Sequence, residues 1–299
     1  MKIATAIRTG ILRAARAWKV LGTAWLISFI MAVIIALPLK AAVKSGLGSS
    51  MITERLIDGI DVEVVTDFMN NYNNLSPFFF SGLFILLLAG LIVNAFITGG
   101  LFDSVSRRPG QFNIPEFFRS GAANFRSFFG ITAIISIMII FLGLFVLLLP
   151  AGIVLASGGT DYSAVITLTV SAIFFFLIIA FLMLVSDYAR AWQVSNERKA
   201  CMKALGFGFR YSFKSFLSSY FLMIFLILIQ VLFNLLAIRL LGTWRPVSSG
   251  GIFLLLIISQ TLFFLRLFLK TVRYASVSYL MEMTDINSDI QSQTNPDII

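Results

Sequence analysis

The hydrophobic pattern of this chain consists of six long apolar stretches separated by shorter polar segments. Each stretch lacks charged residues and reaches the roughly 20 residues that an α-helix needs to cross the hydrocarbon core of a bilayer. The stretches are Val20–Leu39, Phe68–Phe102, Ser127–Thr160, Tyr162–Ser186, Ser215–Ile238 and Pro246–Leu265. The pattern therefore predicts an all-α membrane protein with six transmembrane helices.

A short signature opens three of these stretches, with an aromatic residue, then a basic one, then apolar residues. The three aromatic-basic pairs are Trp18-Lys19, Phe125-Arg126 and Phe213-Lys214. Before each pair, apolar residues recur on one helical face and Lys or Arg on the other, which is typical of an amphipathic helix at a membrane interface. A partner-binding or calmodulin-type helix is the other interpretation. Because the same pattern precedes three of the apolar stretches, a helix at the membrane surface is favoured.

The repeat predicts three units, each a basic interfacial helix that turns into a transmembrane hairpin. The units are residues 1–104, 105–190 and 191–281, and the polar remainder 282–299 is predicted to be a disordered tail. Each hairpin ends in a polar-aromatic segment that we expect to form a short capping helix. These segments are Phe102-Asp103, Ser186–Arg190 and Val272–Ser276.

The first unit differs from the others by an insert at 43–74 between its two apolar stretches. Apolar residues recur every four positions in this insert, with acidic residues between them. The period predicts an amphipathic helix on the outer face of the membrane. A cation or partner site on its acidic residues is the alternative, and a solvated helix face is favoured.

The basic residues predict the orientation of the chain. Most of the 23 Lys and Arg residues lie in the N-terminal segment, after the second and fourth stretches, and before the tail. The positive-inside rule then places both termini in the cytoplasm, and we expect a bacterial inner membrane. A cleaved signal peptide is the alternative for the N-terminus, but the first stretch is longer than a signal-peptide core, which favours an uncleaved span.

The composition supports this class of protein. Of 299 residues, 59% are hydrophobic and 12% are charged, whereas soluble domains carry about 25% charged residues. A net charge of +9 in such a chain indicates contact with anionic phospholipid headgroups and not with nucleic acid.

The sequence offers little catalytic chemistry. It has no histidine and no phosphate-binding loop of the Walker type, and Asp103, Asp161 and Asp187 are predicted to lie at the ends of spans. We therefore expect no enzyme, no catalytic residue, no metal site and no cofactor. Cys201 is the single cysteine, which excludes an internal disulfide; a small apolar role on an interfacial helix is favoured over a reactive thiol.

Two groups of residues are candidates for contacts inside or near the bilayer. The intramembrane amides are expected to join helices, with a polar lining for a headgroup or solute as the alternative; they are Asn94, Gln230, Asn234 and Gln260. The candidate headgroup contacts are basic residues near the cytoplasmic ends of spans. They are Lys19, Arg126, Lys214, Arg266, Lys270 and Arg273.

The three aromatic-basic pairs, each leading into a hairpin, resemble the six-helix bacterial membrane proteins related to the membrane domain attached to some glycerophosphodiester phosphodiesterases. The resemblance covers residues 1–281 and implies the six-helix arrangement. The soluble phosphodiesterase domain, with its acidic and histidine residues, has no counterpart here, so no catalytic residue is carried over.

Two functions fit these features. The first is a non-enzymatic subunit or scaffold of a larger envelope membrane assembly, with a membrane protein partner or further copies of this chain. The alternative is a lipid- or amphiphile-handling, transporter-like protein. An intramembrane enzyme is the third interpretation, and it would need a Ser or Cys nucleophile with an unusual base.

Overall fold

The computed structural model describes residues 2–47, 76–106, 114–158, 160–195, 200–244 and 248–294, and within these ranges all regular structure is helical. The helices are α1 (Lys2–Arg16), α2 (Trp18–Leu47), α3 (Ser76–Ser106), α4 (Ile114–Gly143), α5 (Leu149–Ala156), α6 (Asp161–Ser195), α7 (Cys201–Lys214), α8 (Phe216–Thr243) and α9 (Ser249–Thr294). A π-helical turn, Leu144–Leu148, joins α4 to α5. The chain is an all-α membrane protein, as the apolar stretches predict.

The described helices account for the six predicted spans. Five segments are long and apolar enough to cross a membrane: Phe84–Ser106, Ile114–Ala156, Tyr162–Ser195, Phe216–Thr243 and Ser249–Thr284. The pair formed by α1 and α2 is bent by 70° and meets the same test as a unit, which raises the number to six. The multi-pass prediction is therefore confirmed.

Two of the three aromatic-basic pairs coincide with a break between helices. α1 ends at Arg16 and α2 begins at Trp18, while α7 ends at Lys214 and α8 begins at Phe216. The second copy differs, because α4 continues without a break through Phe125-Arg126.

The last helix extends into the polar segment that was predicted to be a disordered tail. α9 continues to Thr294, so a helix replaces the expected disordered tail up to that residue, and 295–299 lie outside the described residues. Glu282 accepts hydrogen bonds of 2.8 and 2.7 Å from the Arg13 guanidinium, which tie this extension to α1. The predicted insert at 43–74 lies outside the described residues from position 48 onward.

The chain divides into two compact units, residues 1–25 with 95–299, and residues 26–94. Two apolar clusters hold the first unit together. One joins α4, α6 and α7 through Ile131, Val185 and Leu205, among others. The second joins α1, α8 and α9 and includes Ala14 and Leu222.

Burial in the first unit is confined to one end of its long helices, here called the packed end. The opposite stretches, here called the distal segments, are residues 136–158, 162–179, 228–244 and 248–266. Wherever the structure describes side chains in the distal segments, none is buried. The packed end therefore contains the buried side chains of the long helices of this unit, and the distal segments present apolar surface.

Candidate functional site

The packed end contains the buried polar side chains of the first unit. Because an unpaired polar group is costly inside a membrane protein, such a concentration marks a candidate functional site. The buried polar residues are Thr98, Asp103, Ser120, Asn124, Ser127, Ser186, Asp187, Arg190, Gln193, Ser212, Ser219, Thr271, Arg273, Ser276 and Ser278.

Three charged side chains, Asp187, Arg190 and Arg273, form what we call the ionic centre. Asp187 is fully buried, and its Oδ1 lies 3.1 Å from Nη1 of Arg190 on the same helix. Its Oδ2 lies 2.9 Å from Nε of Arg273 on α9. Both arginines are less than a tenth exposed. One carboxylate thus stands between two guanidinium groups, which leaves one excess positive charge.

Aromatic and hydroxyl groups complete the surroundings of the two arginines. Arg190 Nη2 donates a hydrogen bond of 2.9 Å to Oγ1 of Thr132 on α4. The Arg190 guanidinium carbon lies 6.0 Å from the centre of the Phe128 ring, and that of Arg273 lies 5.1 Å from the Tyr274 ring. Rings at these distances attract a cation through their negative faces. The ionic centre therefore joins α4, α6 and α9.

A second set of contacts brings the end of α3 to the same region. The ring of Phe102 stacks on that of Tyr274, with 4.2 Å between centroids, and meets Phe128 edge-on at 5.8 Å. Asp103 accepts a hydrogen bond from the Ser120 hydroxyl of α4. α3 thus contacts both α9 and α4 beside the ionic centre.

The three polar-aromatic segments meet in the interior and do not form separate caps. Each lies within a continuous helix, respectively α3, α6 and α9. Asp103, Asp187 and Arg273 occupy corresponding places in the three segments, and all three are buried. The segments were correctly singled out from the sequence, but the prediction of short capping helices is wrong.

Close contacts at glycine fix the helices that precede the spans. A Cβ added to Gly10 of α1 would lie 2.9 Å from the carbonyl oxygen of Val272 on α9. A Cβ added to Gly208 of α7 would collide with the Val185 carbonyl oxygen of α6 and come within 3.2 Å of Ala189. In both places the helix backbones approach as closely as small residues permit.

The third contact of this kind joins α4 to α3. A Cβ at Gly121 would lie 3.0 Å from the Phe96 ring, and a Cβ at Gly99 would lie 3.5 Å from the Gly121 backbone. The N-terminal part of α4 therefore packs on α3, α7 packs on α6, and α1 packs on α9. Each segment packs on the end of the preceding hairpin, and α1 closes the series on the last one.

The opposite faces of these segments carry the predicted headgroup contacts. Lys19, Arg126 and Lys214 are exposed, as are the neighbouring rings of Trp18 and Phe213. The Lys19 ammonium lies 5.9 Å from the centre of the Trp18 ring. Exposed basic and aromatic side chains side by side suit a membrane interface, and contact with headgroups stays a prediction.

The three basic residues predicted at the end of the last span are placed differently from one another. Arg266 is exposed, and Lys270 is half-buried with its ammonium 5.8 Å from the Tyr274 ring. Arg273 is 4% exposed and paired with Asp187, so it does not lie where a headgroup contact was expected. Its position on α9 turns the guanidinium toward α6 and away from the surface.

The predicted intramembrane amides stay apart from the ionic centre. Gln230 and Asn234 lie in the distal part of α8, Gln260 lies in that of α9, and all three are half-buried. Asn94 is half-buried in the second compact unit. The roles predicted for these amides stay predictions.

The single thiol is placed for packing. Cys201 is partly buried at the start of α7, and a Cβ at Gly130 of α4 would lie 2.9 Å from its Sγ. Burial raises the pKa of the Cys201 thiol above its ordinary value, which lowers the thiolate fraction at neutral pH.

We therefore expect Cys201 in the folded protein to react with a maleimide more slowly than a free thiol at pH 7. The rate should rise with pH beyond the range in which an ordinary cysteine titrates, because the folded pKa is the higher one. Labelling kinetics from pH 6 to 10, with the same chain unfolded in SDS as the control, measure this. Equal rates in the two states would contradict it.

The ionic centre is what the sequence did not predict. Asp103 and Asp187 were assigned to span ends, where water would solvate them, and Arg273 to the headgroups. A signal was present, since an ionisable residue recurs at the corresponding place of all three polar-aromatic segments. Charge complementarity between Asp187 and Arg273 was the available clue that these segments meet.

The geometry of the site provides charge and hydrogen-bond donors. The residues that the structure describes include no group of three His, Cys, Asp or Glu side chains placed to hold a metal ion. The paired charges are suited to fixing three helices and to attracting an anion. No protein-family model matches this chain, and comparisons with curated proteins and with solved structures likewise find no match.

Proposed function

We propose that the protein is a non-enzymatic subunit or scaffold of a larger envelope membrane assembly. It would lie in a bacterial inner membrane with both termini and the packed end on the cytoplasmic side. The observation that carries this proposal is the absence of buried side chains from the described parts of the distal segments. Distal segments without buried side chains leave extended apolar faces for other membrane-embedded helices.

The chemistry of the distal segments supports association with protein helices. In α8, large apolar side chains alternate with the half-buried amides Gln230 and Asn234, which lie four residues apart on one face. Helices in lipid associate through close packing and interhelical hydrogen bonds, and amides contribute about 0.6–2 kcal/mol each. The exposed apolar residues of this part of α8 are Val231, Leu232, Leu235, Leu236, Ile238 and Leu240.

The packed end supplies what a scaffold needs, a rigid base. The ionic centre and the glycine contacts join α1, α4, α6, α7 and α9 without using the distal segments. A partner could therefore bind the distal segments while the base keeps its structure.

The test is native mass spectrometry of the protein extracted gently from its own membrane. We expect a stoichiometric membrane protein partner or a homo-oligomer. Leu236→Trp should abolish this association, because Leu236 is 69% exposed in the distal part of α8. Leu217→Trp is the matched control, since Leu217 is 71% exposed on the same helix at the packed end. A monomer from native membranes, with or without lipid, would contradict the proposal.

Lipid or amphiphile handling is the second candidate, and the exposed basic-aromatic faces beside Lys19, Arg126 and Lys214 favour it. Reversal of the three charges to Glu should then release a defined anionic lipid class that the monomer otherwise retains. Each basic residue near an anionic surface contributes about 1 kcal/mol. Unchanged lipid retention in the same mass measurement would count against this function.

A further inference from the structure

Several buried polar atoms beside the ionic centre have no hydrogen-bond partner. Gln193 is 1% exposed, and neither its Nε2 nor its Oε1 is paired. Nε of Arg190, three residues earlier on the same helix, is also buried without a partner. Nε of Arg273 lies near Asp187 but outside hydrogen-bond geometry. Buried polar groups in folded proteins are nearly always paired, so this group calls for an explanation.

We propose that Arg190 and Gln193 of α6, assisted by Arg273 of α9, form a binding site for one oxyanion of the phosphate type. This inference goes beyond the proposed function and does not depend on it. Residues three apart on a helix are neighbours on its surface, so the free Nε–H of Arg190 and the amide of Gln193 can serve the same ligand.

The balance of charge and donors determines the sign of the ligand. Two guanidinium groups face a single carboxylate, Asp187, so the centre has one excess positive charge. The donors without a partner are the Nε–H of Arg190 and the NH₂ of Gln193, and the oxygen without a partner is Oε1 of Gln193. Nε of Arg273 is held in its 2.9 Å ion pair with Asp187. A phosphate oxygen would satisfy these donors with charge-assisted hydrogen bonds. A cation would be repelled by the excess positive charge.

Two sources can provide this chemistry, an anionic phospholipid headgroup and free phosphate. The site lies at the packed end, near the helix ends that join the basic loops. Adding the phospholipid or the free phosphate alone distinguishes the two sources.

The experiment measures thermal unfolding of the delipidated protein in a neutral detergent. Inorganic phosphate is added at constant ionic strength against chloride, and phosphatidylglycerol micelles are compared with phosphatidylcholine micelles. At a ligand concentration ten times Kd, we expect a rise in Tm of about 2–3 °C. A rise with phosphate identifies free phosphate as sufficient; a rise only with phosphatidylglycerol identifies the headgroup.

The discriminating variant is Gln193→Leu, because Arg190 also supports the fold. It should reduce the anion-dependent rise in Tm by at least half, whereas Gln260→Leu, which removes an amide with an unpaired buried oxygen in distal α9, should retain the full rise. The proposal is overturned if neither anion raises Tm, or if Gln193→Leu keeps the full response. If water and not an anion fills the site, Gln193→Leu would keep the full response. In that case the variant would also be more stable than the unchanged protein whether or not an anion is added.

Discussion

Replacement of Asp187 by Asn is expected to lower the free energy of unfolding by about 3–5 kcal/mol, the range found when one partner of a buried ion pair is removed. Asp187 is fully buried between Arg190 and Arg273. Without its charge, two guanidinium groups remain in the interior with no counter-charge. The measurement is unfolding in mixed micelles, or the yield of folded protein if the variant does not accumulate.

The matched control for Asp187→Asn is Glu116→Gln. Glu116 also pairs with an arginine three residues away on its own helix, at 3.0 Å, but that pair is partly exposed. Exposed pairs contribute about 0–1 kcal/mol. Equal effects of the two variants would contradict a structural ionic centre. Adding Arg273→Gln to Asp187→Asn should recover part of the lost stability, because it removes one of the two uncompensated charges.

Gly208→Ala is expected to destabilise the packing of α7 on α6 by about 1–3 kcal/mol, the range for overpacking a tight contact. The added methyl group would meet the Val185 carbonyl oxygen and the Ala189 side chain. Because one of these is backbone, relief requires a shift of the whole helix. Thermal unfolding in micelles measures the effect.

Gly206→Ala on the same helix is the control for Gly208→Ala. A Cβ at Gly206 meets nothing within 4 Å, so the added methyl group has open space. Alanine is favoured over glycine in a helix interior by about 1 kcal/mol, and this variant should be neutral or stabilising. If Gly208→Ala were also neutral or stabilising, helix propensity would outweigh the contact and the predicted clash would be contradicted.

The sequence predicted the helices of this protein well because long apolar stretches have few alternatives in a membrane. Span number and the breaks beside Trp18 and Lys214 follow from local pattern alone. The break at Phe125-Arg126 was predicted from the same pattern and is absent, so local pattern does not distinguish this copy from the other two. Similarly, the polar neighbours of Glu282 predicted a disordered segment. Glu282 instead pairs with Arg13, which lies 269 residues away in the sequence, so local composition does not predict the contact.

The candidate site was harder to predict for the same physical reason. A charged residue near the end of a span is solvated or buried depending on which other helix ends surround it. For Asp187 and Arg273 that neighbourhood is created by α3, α4 and α9 together. Residue type and spacing indicate the helix face, and only tertiary packing determines what that face meets.

The packing of α1 on α9 has a consequence for the order of events during synthesis. α4 and α7 each pack on a hairpin that is made before them, whereas α1 is made before its partner surface on α9. The face of α1 around Gly10 therefore stays uncovered until Val272 has been translated. This contact cannot form before α9 has been made, so a nascent chain that stops before α9 leaves α1 without its partner surface.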